Sequence, residues 1–380
     1  MKELIILPPG PFTQKDHQRF GVEILKKYFS VKIIDCSAWI YKDHADLFSN
    51  EVYKSKEYIS ITSKSDFFNF LKEIKSPIVI DRLPINNKSN FIRKHLRKKS
   101  SFFVYLHLNL FPDVSHTKMT FNLEKVLKAI LNPKSLFGVF VNLFHRQIFN
   151  LTKSSKDIFL AGGLASKSKL KGKNLIETHS MDYDVYLNIK NNPNSNQDDY
   201  AVFIDEDMVD HSDLFLLNLK PPATAENYYE TLKKFLKNFE LFSKLKVKIA
   251  FHPKRQKKIP NQLKEFEYTF GNTAEFVKNS KIVLAHSSTS ISFAVLYNKP
   301  VIFLTSDEIE KSWQQSRIKK FSETLNGQLL NMNDDIKENL KVEKLFGIDD
   351  TKYRNYLNQY LKVPNSPDIP IWEIFCKKVI

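Results

Sequence analysis

A chain of 380 residues exceeds what one hydrophobic core usually serves, and 42% apolar with 26% charged residues describes a soluble protein of two ordinary domains, not a disordered or collagenous one. The 58 basic against 42 acidic residues leave a net charge of +16, which calls for an anionic partner or a solvated basic surface, while two cysteines, Cys36 and Cys376, exclude a disulfide framework and a cysteine-based metal centre. The opening apolar run stops at Pro8 and Pro9, far short of a signal-peptide core, and no stretch has the length of a membrane span, so the expected location is the cytoplasm.

In chain order, residues 4–7 read as a buried strand, 8–11 as a proline turn, 18–28 as a helix with Phe20, Ile24 and Leu25 inward, and 31–34 as a second strand. Apolar runs at 78–80, 102–106 and 158–160 continue a parallel-sheet pattern. Residues 119–149 mix Leu, Phe and Val with Lys125, Lys128, Lys134, His145 and Arg146; they suit either amphipathic helices lying on an anionic membrane or a core-facing helical hairpin. The aperiodic polar run 188–199 cannot bury apolar surface and reads as a linker. Beyond it the pattern restarts, with strands at 201–204, 247–251, 282–285 and 301–304 separated by helices at 225–242, 273–279 and 291–297: a doubly wound sheet.

In such sheets ligands sit outside the carboxyl ends of the strands, so the residues just after each strand are the candidates. After 247–251 come His252, Pro253, Lys254 and Arg255, where a proline-fixed turn collects an imidazole and two cations that suit a phosphate. After 282–285 come His286, Ser287, Ser288, Thr289 and Ser290, four hydroxyl residues where one would suffice to cap the following helix; with free backbone N–H groups they suit an anion. Thr273 opens the 273–279 helix in a smaller version of the same arrangement. After 201–204 come Asp205, Glu206 and Asp207, carboxylates fit for general base, nucleophile or metal ligand; Asp205 ranks first because it directly follows the strand. In the first half, Gln14, Lys15, Asp16 and His17 stand at the edge of the equivalent crevice, and His179 to Asp184 at the expected hinge. Loops carrying hydroxyls and carboxylates, not clustered Lys/Arg with interleaved aromatics, speak against a nucleic-acid partner.

The order Phe-Ile-Asp-Glu-Asp at 203–207, Tyr228-Tyr229 with Leu232 and Phe235, His252-Pro253, Thr273-Ala274-Glu275 and His286-Ser287-Ser288-Thr289-Ser290 resembles bacterial surface-carbohydrate glycosyltransferases of the GT-B fold. More narrowly it is similar to the sialyltransferase, polysialyltransferase and Kdo transferase families, which use CMP-activated acidic sugars and share an HP motif and a paired-serine motif. The resemblance implies an α/β protein with two Rossmann-like domains facing a central cleft. Residues 1–190 would be the acceptor side, 191–350 the nucleotide-sugar side, and 351–380 a tail packing back on the first domain. It implies that His252, Pro253, Ser287 and Ser288 bind the donor, with Lys254, Thr273, Thr289 and Ser290 beside them. Catalysis falls to Asp205, Glu206 or Asp16; an acidic pair followed by glycine, frequent in the first domain of such sialyltransferases, does not occur. The expected donor is a CMP-sugar, with no metal or cofactor, and the expected acceptor a surface polysaccharide or lipid-linked glycan, with peripheral contact to an anionic membrane. The alternatives are a UDP- or GDP-sugar enzyme of the same fold and a non-catalytic scaffold of capsule or lipopolysaccharide assembly.

Overall fold

The computed structural model describes residues 1–42, 52–112, 144–192, 199–211, 214, 219–252, 255, 259–340 and 345–380. Pro253, Lys254, the core of the polar linker and residues 119–143 of the amphipathic segment lie outside them.

Two parallel sheets form the frame. The first comprises β1 (Glu3–Leu7), β2 (Ser30–Asp35), β3 (Tyr58–Ser60), β4 (Ile78–Asp81), β5 (Phe102–His107), β6 (Ile158–Ala161) and β7 (Asn174–Glu177), in the order β3-β2-β1-β4-β5-β6-β7. The second comprises β8 (Tyr200–Ile204), β9 (Lys246–Phe251), β10 (Glu267–Phe270), β11 (Ile282–Ala285), β12 (Val301–Thr305) and β13 (Gln328–Asn331), in the order β10-β9-β8-β11-β12-β13. Helices cover both faces, so the central strands β4, β6, β8, β11 and β12 are buried at every position, as their unbroken apolar runs require. In each sheet the strand order reverses once, between β1 and β4 and between β8 and β11. A crevice opens at each reversal.

The helix expected at 18–28 is two short ones, Gln14–Arg19 and Val22–Leu25. Gln14–Arg19 starts on a capping box in which Asp16 Oδ2 accepts from the Thr13 hydroxyl (2.6 Å) and backbone N–H (3.0 Å). It ends before Gly21, whose φ of 52° is left-handed and turns the chain. The turn makes room for Trp372, whose ring lies where a Cβ on Gly21 would go and whose Nε1 donates to the Arg19 carbonyl at 2.8 Å. Trp372 belongs to the helix Ile371–Val379, which joins Phe12, Phe20, Val22 and Phe29 in the first-domain core.

The chain therefore returns across the seam. The helix Asp350–Tyr356 packs on the second domain, with Tyr353 donating its hydroxyl proton to the Lys299 carbonyl at 2.7 Å. A π-helical turn, Leu357–Leu361, then delivers the Leu361 carbonyl to the Ser180 N–H (2.6 Å) and the Val363 N–H to the Thr178 carbonyl (3.0 Å). A second seam contact comes from the helix Met181–Ile189: Asp182 accepts from the Ser292 hydroxyl at 2.6 Å, and the Ile189 carbonyl accepts from Lys278 at 3.0 Å. At the end of the amphipathic segment, the His145 carbonyl accepts from Asn90 Nδ2 at 3.0 Å, which ties that part to the first domain.

Replacing Gly21 by alanine combines a left-handed φ with a collision against a fully buried indole. Thermal or urea unfolding should show a loss of about 2–4 kcal/mol, where an ordinary surface substitution stays within about 0.5 kcal/mol.

Candidate functional site

The loops after β8, β9 and β11 meet at the second sheet's reversal because β8 pairs with β11 on one side and β9 on the other. Their carboxylates tie them together. Asp205 accepts four hydrogen bonds, two on each oxygen: Oδ1 from Asp207 N–H (3.1 Å) and Arg255 Nη2 (3.0 Å), Oδ2 from His252 N–H (3.1 Å) and Arg255 Nε (2.9 Å). A carboxylate has about four lone-pair positions, and all are taken. The side chain is fully buried. Asp205 thus pins the β8 loop to the β9 loop.

Arg255 is turned inward, against the expectation that it grips a phosphate. Besides Asp205 it lies 2.9 Å from Asp207 and donates to the Tyr229 hydroxyl at 2.9 Å, which in turn donates to Asp210 at 3.1 Å. Asp207 takes a left-handed φ of 53° to reach this pair, and burial pushes its carboxyl up to about 6. The ring of His252 lies 4.7 Å from that of His211. A cavity of about 340 Å³ opens beside the cluster, lined among others by Asp210, Glu226, Tyr229 and Arg255. Its two carboxylates make it a poor place for a phosphate.

Glu206 ties the β8 loop to the β11 loop. It accepts from the Ser287 backbone N–H and, at 3.3 Å, from the Ser287 hydroxyl, which itself accepts from Gln314 Nε2 at 2.7 Å. Burial pushes the Glu206 carboxyl up to about 7, against the opposing pull of Arg317 and the Ser287 bonds. Arg317 stacks its guanidinium 4.4 Å from the Phe111 ring of the first domain, has no carboxylate within ion-pair range among the described residues, and keeps a buried Nε without a hydrogen-bond partner. Beside Ser287, His286 is structural: its Nδ1–H donates to the Leu304 carbonyl (2.8 Å), so Nε2 accepts from the Tyr228 hydroxyl (2.9 Å), and burial lowers it to about 4, leaving it neutral.

The hydroxyl loop is only partly a cap. Ser288 Oγ accepts from the Ser290 N–H at 3.2 Å, while Ser290 precedes the helix Ile291–Leu296 without any side-chain cap bond. At six residues that helix offers little dipole, so an anion here must be held by hydroxyls, N–H groups and nearby cations. Thr289 faces the first domain across a narrow void shared with Phe111, Ser180 and Asp182. Thr273 stands apart at the end of edge strand β10, after the Asn272 cap position. Asp16 lies in the other domain, with one oxygen held in its capping box. Gln314 and Arg317 escaped sequence reasoning; they follow no strand directly and carry no motif. Among the described residues, no three His, Cys, Asp or Glu side chains converge to hold a metal ion, and no helix is long and apolar enough to cross a membrane.

Two variants separate anchor from reactive group. Asp205→Ala takes from a buried guanidinium its two-pronged partner, leaving Asp207 as the remaining carboxylate beside it, and should cost about 3–5 kcal/mol in urea unfolding. Glu206 behaves oppositely. Its folded pKa lies above the usual value of 4.5, so the folded state holds a proton that the unfolded chain releases, and stability falls as pH rises from about 4.5 through 7. Glu206→Gln escapes that loss: its melting temperature should exceed that of the wild type at pH 8, with the gap closing towards pH 4.5.

No protein-family model matches the sequence, and no curated protein does. Solved structures do. The wall teichoic acid polymerase TagF is 14% identical over 95% of this chain and 85% of its own, with a TM-score of 0.53. A variant of that polymerase gives 12% identity over 96% and 85%, with a TM-score of 0.54. A UDP-N-acetylglucosamine 2-epimerase is 14% identical over 99% of this chain and 95% of its own, with a TM-score of 0.49. The likeness to TagF extends over both sheets, and the fold is GT-B: two Rossmann-like α/β domains with a cleft between them.

Proposed function

We propose that the protein is a glycosyltransferase that moves an acidic sugar from a CMP-activated donor to a glycan or glycolipid acceptor. The observation that carries this reading is the meeting of the β8 and β11 loops at the reversal point of the second sheet, where Glu206 and Ser287 are bonded, Gln314 bonds Ser287 and Arg317 lies nearby. The donor phosphate belongs on the Ser287–Ser290 side, where hydroxyls and Arg317 meet it, and away from the acid-lined cavity. The paired serines and the His252 loop support cytidine monophosphate as the leaving group through the motif resemblance.

In the reaction the acceptor oxygen bonds to the anomeric carbon as the bond from that carbon to the phosphate oxygen breaks. CMP departs as a phosphate monoester, and the acceptor proton passes to a carboxylate. Glu206 is our choice for that base. Asp205 has no lone pair to spare, Asp16 has an oxygen committed to its cap, and a carboxyl poised near 7 suits proton transfer at neutral pH. No metal takes part. The enzyme works in the cytoplasm, with peripheral contact to the inner face of an anionic membrane.

Titration calorimetry and thermal shift test the donor. CMP should saturate and raise the melting temperature more than UDP or GDP at equal concentration. A larger UDP or GDP shift would replace the CMP reading by a different donor, and no saturation by any of them would leave a non-catalytic scaffold. Turnover should survive EDTA. It should rise with pH through about 7 as Glu206 loses its proton, and fall by about 10²–10⁴ in Glu206→Gln; a variant that retains the wild-type rate would remove Glu206 from the mechanism.

A further inference from the structure

The first sheet has its own reversal point, and its chemistry is different. Helix Gln14–Arg19, which follows β1, carries Lys15 and Arg19. Arg82 follows β4 directly, with its N–H bonded to the Leu7 carbonyl at the end of β1 (3.0 Å). Three cations thus gather at the mouth of the adjacent strands β1 and β4.

Each nearby carboxylate has another partner and acts on these cations only from a distance. Asp81 is held by Arg93 (2.6 and 3.2 Å) and the Leu83 N–H (3.0 Å). Asp35 accepts from the Phe12 and Ser37 N–H groups and the Tyr58 hydroxyl. Asp16 serves its cap, and Asp182 reaches across the seam to Ser292. Among the described residues, none of Lys15, Arg19 and Arg82 has a carboxylate within ion-pair range. They also repel one another. Lys15, Arg19 and Arg82 are exposed, yet the surrounding protein costs the charged forms of Lys15 and Arg82 part of their hydration; that effect, with the charge of Arg19 adding to it and the attraction of Asp16, Asp81 and Asp182 opposing it, lowers both, Lys15 to about 8. A basin that nearby carboxylates compensate only at a distance stores a cost that a bound anion relieves.

Its orientation follows from Asp182. That residue is close enough to feel Lys15 and Arg19, and it bonds Ser292, which lies just after the hydroxyl loop of the second domain. The basin therefore faces the donor side across the cleft.

We propose that Lys15, Arg19 and Arg82 form an anion subsite on the acceptor side, and that the acceptor carries a carboxylate or phosphate close to the hydroxyl that receives the sugar. This rests on the glycosyltransferase reading for the word acceptor, but the subsite itself is testable without the donor. An acceptor of this charge would be tethered by one end while its hydroxyl is presented to the second domain.

The test uses the full-length protein and its Arg19→Gln/Arg82→Gln double variant. Inorganic phosphate, N-acetylneuraminic acid and the neutral sugar N-acetylmannosamine are titrated by calorimetry, with and without saturating CMP. Phosphate or N-acetylneuraminic acid should bind the wild type with CMP present, the neutral sugar should bind at least tenfold more weakly, and the double variant should lose at least tenfold in anion affinity. Because substitution relieves repulsion, the double variant should melt no lower than the wild type, which separates loss of the subsite from loss of the fold. Equal binding of the neutral sugar, or undiminished anion binding by the variant, would overturn the proposal. CMP binding by the same variant is a separate readout: its absence from both proteins would count against the donor reading and leave the subsite standing.

Discussion

The mouth of the second domain depends on one buried carboxylate. Asp205 directly follows the central strand β8, and its four accepted bonds fix the backbone of the β9 loop, the turn through Asp207 and the guanidinium of Arg255. A buried ion pair of this kind adds little net stability over a well-packed apolar substitute, because both charges must leave water. What it supplies is position: two loops far apart in sequence are held in a single register. Glu206, one residue later, points to the other neighbour and does the same for the β11 loop, but with fewer bonds and a carboxyl that burial makes reluctant to ionise. Adjacent carboxylates on one strand end thus have different work because their partners differ, one saturated by a cation and the other facing hydroxyls.

The two domains present opposite chemistry to each other. The second offers hydroxyls, N–H groups and Arg317; the first offers cations that, among the described residues, have no carboxylate within ion-pair range. They are joined by polar contacts, Asp182 to Ser292 and Lys278 to Ile189, by a tilted contact of Tyr186 with Tyr297 at 5.2 Å, and by Phe111, Val185 and Ile189 packing against the second-domain core.

Nine strands were legible in the sequence, and they are the inner strands of both sheets. The four that escaped, β3, β7, β10 and β13, are the four edges. The reason is physical: an edge strand keeps one side towards solvent, so Tyr58–Ser60, Asn174–Glu177, Glu267–Phe270 and Gln328–Asn331 are each at least half composed of exposed or part-buried positions and lack an apolar run. The break at Gly21 was hidden because its cause, Trp372, is remote in sequence. The loops after β8, β9 and β11 could be singled out because strand order and strand ends are local properties. Which carboxylate would be saturated was not legible, since that depends on the inward turn of Arg255, and Arg317 reaches its place from a helix that begins well beyond the strand end.

The tryptophan that fills the space over Gly21 has a consequence for biosynthesis. Leu4, Phe12, Phe20 and Val22 leave the ribosome long before the wall that covers them, Ile371 to Cys376. During translation the amino-terminal half must wait with an apolar trough open to water, while the second domain, whose core draws on nothing before residue 200 among its fully buried members, can close first. A chaperone that shields the nascent chain would meet that trough, and early termination anywhere before residue 372 would leave it permanently uncovered.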